Sequence, residues 1–155
     1  MNIYDSLDTN DLISQINKLT PSTKPNWGKM SLDQMLTRLN VAYLMVFTNK
    51  YTPPNSVAKF LLKLIIKKGD VVPKPYPKNV RTKHQFIIKF AKIFDEEKKK
   101  LISYIEKVRD RGNSNFEGKE SHSFDPLTVK EWNVLFTKHM EHLLTQFGVL
   151  WLRST

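Results

Sequence analysis

Apolar residues recur at helical spacing in several stretches of this chain, and no stretch alternates apolar and polar residues as a strand does. The first helix is predicted from Asp8 to Leu19, with Asp8 or Thr9 as its N-cap. The second is predicted to begin at Ser31, because Ser31 and Gln34 have the spacing of a capping box. The apolar stripes of these two helices comprise Leu12, Ile13, Ile16 and Leu19, then Leu32, Met35, Leu36, Leu39, Ala42, Tyr43 and Val46.

The middle of the chain contains an amphipathic segment, a proline-rich segment and a third helix. Residues 56–68, SVAKFLLKLIIKK, have an apolar stripe opposite lysines. Such a segment is typical of a lid or crossover helix packed on its own domain, although it also suits an anionic membrane surface. Prolines in residues 71–79 predict an extended linker. A long third helix is predicted from near Thr82 to about Arg109, with Glu97 as the polar exception on its apolar stripe.

The fourth predicted helix has clear signals at both ends. Thr128 and Glu131 form a second capping box, and Gly148 supplies a left-handed stop. Helical spacing points two histidines and a glutamine of this helix toward the core, where polar groups need hydrogen-bond partners, although His142 is expected to be a partly exposed flank residue. The stripe consists of Trp132, Leu135, Phe136, His139, His142, Leu143, Gln146 and Phe147.

Together these helices predict an all-α fold, an antiparallel four-helix bundle with a long connection between helices 2 and 3. The 155 residues are enough for a single domain spanning residues 1–155. Residues 111–121, RGNSNFEGKES, are expected to form the loop before the last helix, because two glycines interrupt any helix there. The chain has no glycine-rich phosphate loop.

Composition narrows the classes of function. The chain has no cysteine, which excludes disulfides and thiol catalysis and leads us to expect a cytoplasmic protein. It has no apolar signal segment and no run near the roughly 20 apolar residues of a membrane span. The net charge of +10 suits a phosphate-bearing partner or simply a solvated lysine-rich surface. Arginines and aromatic residues are not interleaved, and no nucleic-acid-binding motif is recognisable.

Three sequence blocks resemble one known family. They are WGKMSLDQML at residues 27–36, FDEEKKKL at residues 94–101, and HSFDPLTVKEWNVLFTKHMEHLLTQFG at residues 122–148. In order and spacing they resemble the uncharacterised branch of the DinB-like superfamily. The resemblance implies a four-helix bundle. It also implies a divalent metal held by three histidines, one in the second helix and two in the last, and an activity such as thiol transfer or hydrolysis.

Carried over by position, the ligand set implied by the resemblance is incomplete. Arg38 stands where the first histidine is expected, His139 stands at the second, and Leu143 replaces the third. Arginine is a permanent cation without a lone pair for a metal, and leucine cannot coordinate one. His142, next to Leu143, would substitute only if the helix were rotated by roughly 100°. We therefore expect no metal and no cofactor, while Gln146 fits the family pattern.

These residues leave three functions open. In the first, the chain binds a small anionic ligand through Arg38, His139, His142 and Gln146, without a metal. In the second, His139 belongs to a rebuilt ligand set of a metal-dependent thiol transferase or hydrolase. In the third, the chain is an interaction protein, as a homodimer or through its basic surface. His139 itself is expected either to face Arg38 or to be a core histidine that hydrogen-bonds to the backbone or Gln146.

Overall fold

Four α-helices dominate the computed structural model, which describes residues 1–48, 93–122, 124 and 126–149. Within these ranges the chain is all-α and contains no strand, as predicted. An isolated antiparallel bridge joins Lys119 to Leu127 ahead of the last helix. No helix in these ranges is long and apolar enough to cross a membrane. The helices are α1 (Ser6–Asn17), α2 (Leu32–Phe47), α3 (Phe94–Arg111) and α4 (Val129–Gln146), with a 3-10 turn at Asn113–Asn115.

The predicted capping boxes of α2 and α4 are confirmed. The Ser31 amide donates to Gln34 Oε1 over 3.1 Å at the start of α2. At the start of α4, the Thr128 amide donates to Glu131 Oε2 over 2.9 Å, and the Glu131 amide donates to Thr128 Oγ1 over 3.3 Å. Gly148 has a φ of +73° just after α4, as its predicted role as a stop requires. Residues within one turn of each end therefore determine where α2 and α4 begin and where α4 stops.

The predicted start of α1 is wrong by less than one turn. The N-cap is Asp5, whose Oδ1 accepts from the Leu7 amide at 2.9 Å and from the Asp8 amide at 3.0 Å. Asp8 is instead buried and accepts from the Asn2 amide at 2.6 Å. Both aspartates are good capping residues. Asp5 is the cap because the Asp8 carboxylate is bonded instead to the amide of Asn2, which lies before the helix. Of the predicted stripe, Leu12, Ile16 and Leu19 are buried and Ile13 is half-buried.

The predicted third helix is not continuous. Ile93 is extended, with φ −78° and ψ 117°, and the helix that ends at Arg111 begins at Phe94. Ile93 has helical spacing with the apolar residues of this predicted helix, but its side chain is 63 % exposed and is not part of a buried stripe. Three acidic residues at the start of α3 suit a helix N-terminus, where the helix dipole favours negative charge. Residues 82–92 and the predicted segments at 56–68 and 71–79 lie outside the described residues.

The core is formed where α3 packs against α1 and α2, and where α2 meets α4. Aromatic rings connect these helices: Tyr43 stacks on Phe136 with ring centroids 5.1 Å apart, and Phe116 meets the edges of Trp132 and Phe136. Phe116 lies in the predicted loop before α4 but is fully buried, so this loop contributes to the core.

The apolar face of α4 is rotated relative to the prediction. Its buried residues follow Trp132, Phe136, Met140, Leu143 and Leu144, whereas His139 and His142 are only half-buried. The position that helical spacing predicted for His139 is therefore wrong, because Met140 and Leu144 take the inward positions, whereas His142 is partly exposed, as expected. Buried imidazoles would cost free energy that this rotation avoids.

Candidate functional site

The loop before α2 is attached to the last turn of α4. The Asn26 amide donates to the Gln146 carbonyl over 2.6 Å, and Gln146 Nε2 donates to the Trp27 carbonyl over 2.8 Å. Gly28 has a φ of +79°, and a Cβ there would lie 2.9 Å from Gln146 Nε2. Glycine is therefore required by both backbone conformation and space. These contacts hold the Trp27 side of the loop beside α4.

Arg38 on α2 is reached by the same loop. Its Nη1 donates to the Met30 sulfur over 3.0 Å, and the side chain is half-buried. A thioether is a weak acceptor, so this hydrogen bond contributes less free energy than a bond to a carboxylate or phosphate oxygen would. Burial lowers the pKa of the guanidinium, which nevertheless stays charged at any physiological pH.

His142 lies on the α4 side of this cluster. Its ring meets the Trp27 indole at an angle of 65°, with centroids 6.2 Å apart. Burial lowers the pKa of His142, and the positive charge of Arg38 lowers it further. His142 and Gln146 are four residues apart on one helix, so they lie on neighbouring turns of the same side. The result is a cluster of two cationic or potentially cationic groups with a fixed amide, here called the Arg38 cluster: Trp27, Met30, Arg38, His142 and Gln146.

Three of the four predicted site residues are thus connected through one loop. Arg38, His142 and Gln146 all contact or influence residues 26–30 or each other. The Arg38 charge acts on the imidazole of His142. His139 is half-buried one turn earlier, and its predicted role remains a prediction. Gln146 donates to the Trp27 carbonyl, a partner that the sequence did not indicate.

Trp27 and Met30 were not among the predicted site residues, and their place in the cluster was missed. Both are half-buried rather than buried, and both border the charged groups. The available signal was their position in the WGKM block, directly ahead of the α2 cap, with Trp27 eleven and Met30 eight residues before Arg38.

The donor set does not fit the metal that the resemblance implies. Arg38 places a permanent positive charge beside His142, and that charge opposes a cation. Leu143, at the third expected position, is buried in the core with 2 % exposure. Within residues 1–48, 93–122, 124 and 126–149, no three His, Asp or Glu side chains come together as a metal site. We therefore assign no chemical step to a metal here.

A second polar cluster joins α2 to α3. Asn40 Nδ2 donates to Glu97 Oε2 over 2.7 Å and to the Glu97 carbonyl over 2.9 Å, and Lys100 Nζ donates to Glu97 Oε1 over 3.0 Å. Burial alone would raise the pKa of the Glu97 carboxyl, but bonds from Asn40 and Lys100 and the Lys100 charge hold it below its ordinary value. The polar exception on the α3 stripe is thus a paired, buried carboxylate.

The net positive charge of the chain does not come from the described helices. The described residues contain as many lysines and arginines as aspartates and glutamates, and residues 49–92 account for the whole net charge of +10. Taken together, the described residues that include the Arg38 cluster therefore carry no net charge.

Comparisons of the chain with protein-family models, with curated proteins and with solved structures found no match. The DinB-like relationship accordingly stays a prediction from the three sequence blocks, and any function has to be argued from the Arg38 cluster.

Proposed function

We propose that this chain is a DinB-like helical bundle protein that binds a small anionic ligand at the Arg38 cluster, without the metal typical of that family. The observation that carries the proposal is the geometry of the cluster: the half-buried Arg38 guanidinium contacts the Met30 sulfur of the loop whose Trp27 indole meets the half-buried ring of His142. Two groups that can both be positive are kept together where water is partly excluded. An anion between them stabilises both, whereas a cation stabilises neither.

The hydrogen-bonding groups of the cluster suit the same ligand. A guanidinium binds a carboxylate or phosphate oxygen through charge-assisted bonds of about twice the strength of neutral ones. His142 becomes a second charged donor when an adjacent anion raises its pKa. The Gln146 amide nitrogen carries two N–H donors, of which one is bonded to the Trp27 carbonyl, so the second is the group that an anion would use.

The experiment is a thermal-unfolding screen of the full chain with small anions at constant ionic strength. Wild-type protein is expected to melt at a higher temperature with some of these anions, because a ligand that binds only the folded state stabilises it. Arg38→Met should remove the increase. The matched control is Lys29→Met, which deletes an exposed cation in the same loop and should leave the increase intact.

The same screen separates the other functions. An increase with zinc or nickel that His139→Ala abolishes would support a metal-dependent enzyme and contradict the proposal. Stabilisation that is equal in wild type and Arg38→Met would place anion binding elsewhere and also contradict it. Steeply salt-dependent binding to DNA or anionic vesicles, with no effect of small anions, would instead favour an interaction protein.

A further inference from the structure

The loop before α2 is hydrogen-bonded to one helix at its start and to another at its end. Its start contacts the last turn of α4, where the Asn26 amide donates to the Gln146 carbonyl over 2.6 Å and Gln146 Nε2 donates to the Trp27 carbonyl over 2.8 Å. Its end contacts α2, where Arg38 Nη1 donates to the Met30 sulfur over 3.0 Å. Sulfur is a weak acceptor, so this bond is weaker than the two bonds to carbonyl oxygens.

Met30 can be converted chemically into a stronger acceptor. The side chains of Met35 and Met140 are fully buried, whereas Met30 keeps part of its surface exposed. Hydrogen peroxide oxidises an accessible thioether to a sulfoxide. The sulfur lone pair attacks one peroxide oxygen, the O–O bond breaks, and the leaving hydroxide takes the proton of the transferred OH group to form water. The sulfur loses two electrons, and the peroxide gains them.

Arg38 is placed to bond a sulfoxide at position 30 more strongly than it bonds the thioether. The S–O bond puts partial negative charge on the oxygen, and a guanidinium N–H donates to such an oxygen more strongly than to a neutral sulfur. Arg38 Nη1 already donates to this sulfur, so the same N–H serves the added oxygen while the other contacts of Arg38 stay as they are. The unbranched Met30 side chain has the rotational freedom to admit one oxygen. At Met35 and Met140, in the apolar core, the same oxygen would cost free energy.

We propose that Met30 is a site of reversible oxidation by peroxides, and that its sulfoxide joins the loop at residues 26–30 more firmly to α2 through Arg38. Because the start of the loop is bonded to α4, oxidation strengthens the connection between α2 and α4. Methionine sulfoxide reductases reverse the change with electrons from thiols. This inference is independent of the proposed function, since it requires no bound anion.

The test compares the melting temperature of the full chain before and after mild treatment with hydrogen peroxide, with peptide mass spectrometry to locate the added oxygen. Met30 is expected to be oxidised at peroxide concentrations that leave Met35 and Met140 unmodified. The change in melting temperature on oxidation should be about 2–4 °C more favourable in wild type than in Met30→Leu, the shift expected for one stronger hydrogen bond in a chain of this size. Met45→Leu, which removes another half-buried methionine, is the matched control and should keep a change at least as favourable as that of wild type.

The part played by Arg38 is tested in the same assay. In the Arg38→Leu chain the favourable change on oxidation should be lost, because the donor to the sulfoxide is gone. The proposal is contradicted if Met30 is oxidised no faster than Met35 and Met140, if wild type and Met30→Leu change equally, or if the favourable change persists in Arg38→Leu. The first two comparisons decide the matter even if Arg38→Leu fails to fold.

Discussion

Two polar contacts made by α2, only two residues apart in the chain, differ in the charges they bring together. Asn40 meets the buried carboxylate of Glu97 on α3, and Lys100 completes the contact with an opposite charge. Arg38, about 200° around the helix axis from Asn40, instead lies where its charge acts on the imidazole of His142 on α4. Bonds from Asn40 and Lys100 lower the pKa of the Glu97 carboxyl against the effect of burial, whereas burial lowers the pKa of His142 and the Arg38 charge lowers it further.

The difference separates a contact that stabilises the fold from one that suits a ligand. In the Glu97 contact, donors and a cation surround an acceptor, so the charged form of Glu97 favours folding. In the Arg38 cluster, the charged form of His142 is disfavoured, and an external anion would reverse that effect. Burial and the Arg38 charge both disfavour the protonated imidazole of His142, and perturbed titratable groups of this kind cluster at functional sites.

The largest expected effect comes from removing Asn40. Asn40→Ala deletes two bonds to Glu97 and leaves a buried carboxylate short of donors, so it should lower the free energy of unfolding by about 2–3 kcal/mol. Urea denaturation at pH 7 measures this. Glu96→Gln, at an exposed neighbouring position, should change it by no more than about 0.5 kcal/mol. A similar small value for Asn40→Ala would show that the contact is not structural.

Gly28→Ala should produce the next largest effect. A left-handed alanine costs about 1 kcal/mol or more, and the new Cβ would also displace Gln146 Nε2 from the Trp27 carbonyl, at about 1 kcal/mol further. Gly118 has a φ of +68° with nothing near its missing Cβ, so Gly118→Ala is the matched control for the backbone cost alone. Chemical denaturation of both variants gives the difference. Equal destabilisation by the two substitutions would mean that Gln146 does not hold the loop.

The Glu97 contact predicts a loss of stability in acid. Because the pKa of Glu97 is lower in the folded chain than in the unfolded one, the carboxylate adds stability above its unfolded pKa of about 4.3, and this stability is lost as the pH falls through the folded value. Glu97→Gln should therefore unfold with a shallower pH dependence than wild type below about pH 5. Urea midpoints measured from pH 3 to 7 test this, and parallel curves would rule it out.

The smallest effect is expected at His142. Arg38→Met removes a charge that opposes protonation, so the pKa of His142 should rise toward its ordinary value of about 6.5. Proton NMR of the histidine ring signals as a function of pH measures the change. Lys29→Met removes an exposed cation of the same loop and should leave the pKa of His142 unchanged. An unchanged His142 pKa in Arg38→Met would show that the Arg38 charge does not act on His142, which would contradict the cluster as described.

The sequence predicted features of the fold that depend on local chemistry. Both capping boxes, the Gly148 stop and the all-α class follow from residues a few positions apart. The start of α1 was wrong because Asp5 and Asp8 are chemically equal as caps and differ only in what the chain before them contacts. The start of α3 at Phe94, after the extended residue Ile93, was missed because an apolar residue at helical spacing gives no sign of extended backbone.

The candidate site was predicted in part, for a related reason. Arg38, His142 and Gln146 were identified by type and position, but helical spacing placed both histidines in the core. The actual rotation of α4 depends on how Met140 and Leu144 pack, which is a tertiary property. Trp27 joins the site only because its loop is bonded to Gln146, and no pattern in the sequence encodes a contact over that separation.

The central claim is tested most directly by the pKa of His142 in the wild-type chain, measured by NMR with and without a saturating concentration of the small anion that raises the melting temperature most. An anion held at Arg38 lies close enough to favour the imidazolium, so the account predicts that this anion raises the pKa of His142 and that Arg38→Met abolishes the rise. A His142 pKa that is the same with and without the bound anion would contradict the account, because the anion would then lie away from the Arg38 cluster.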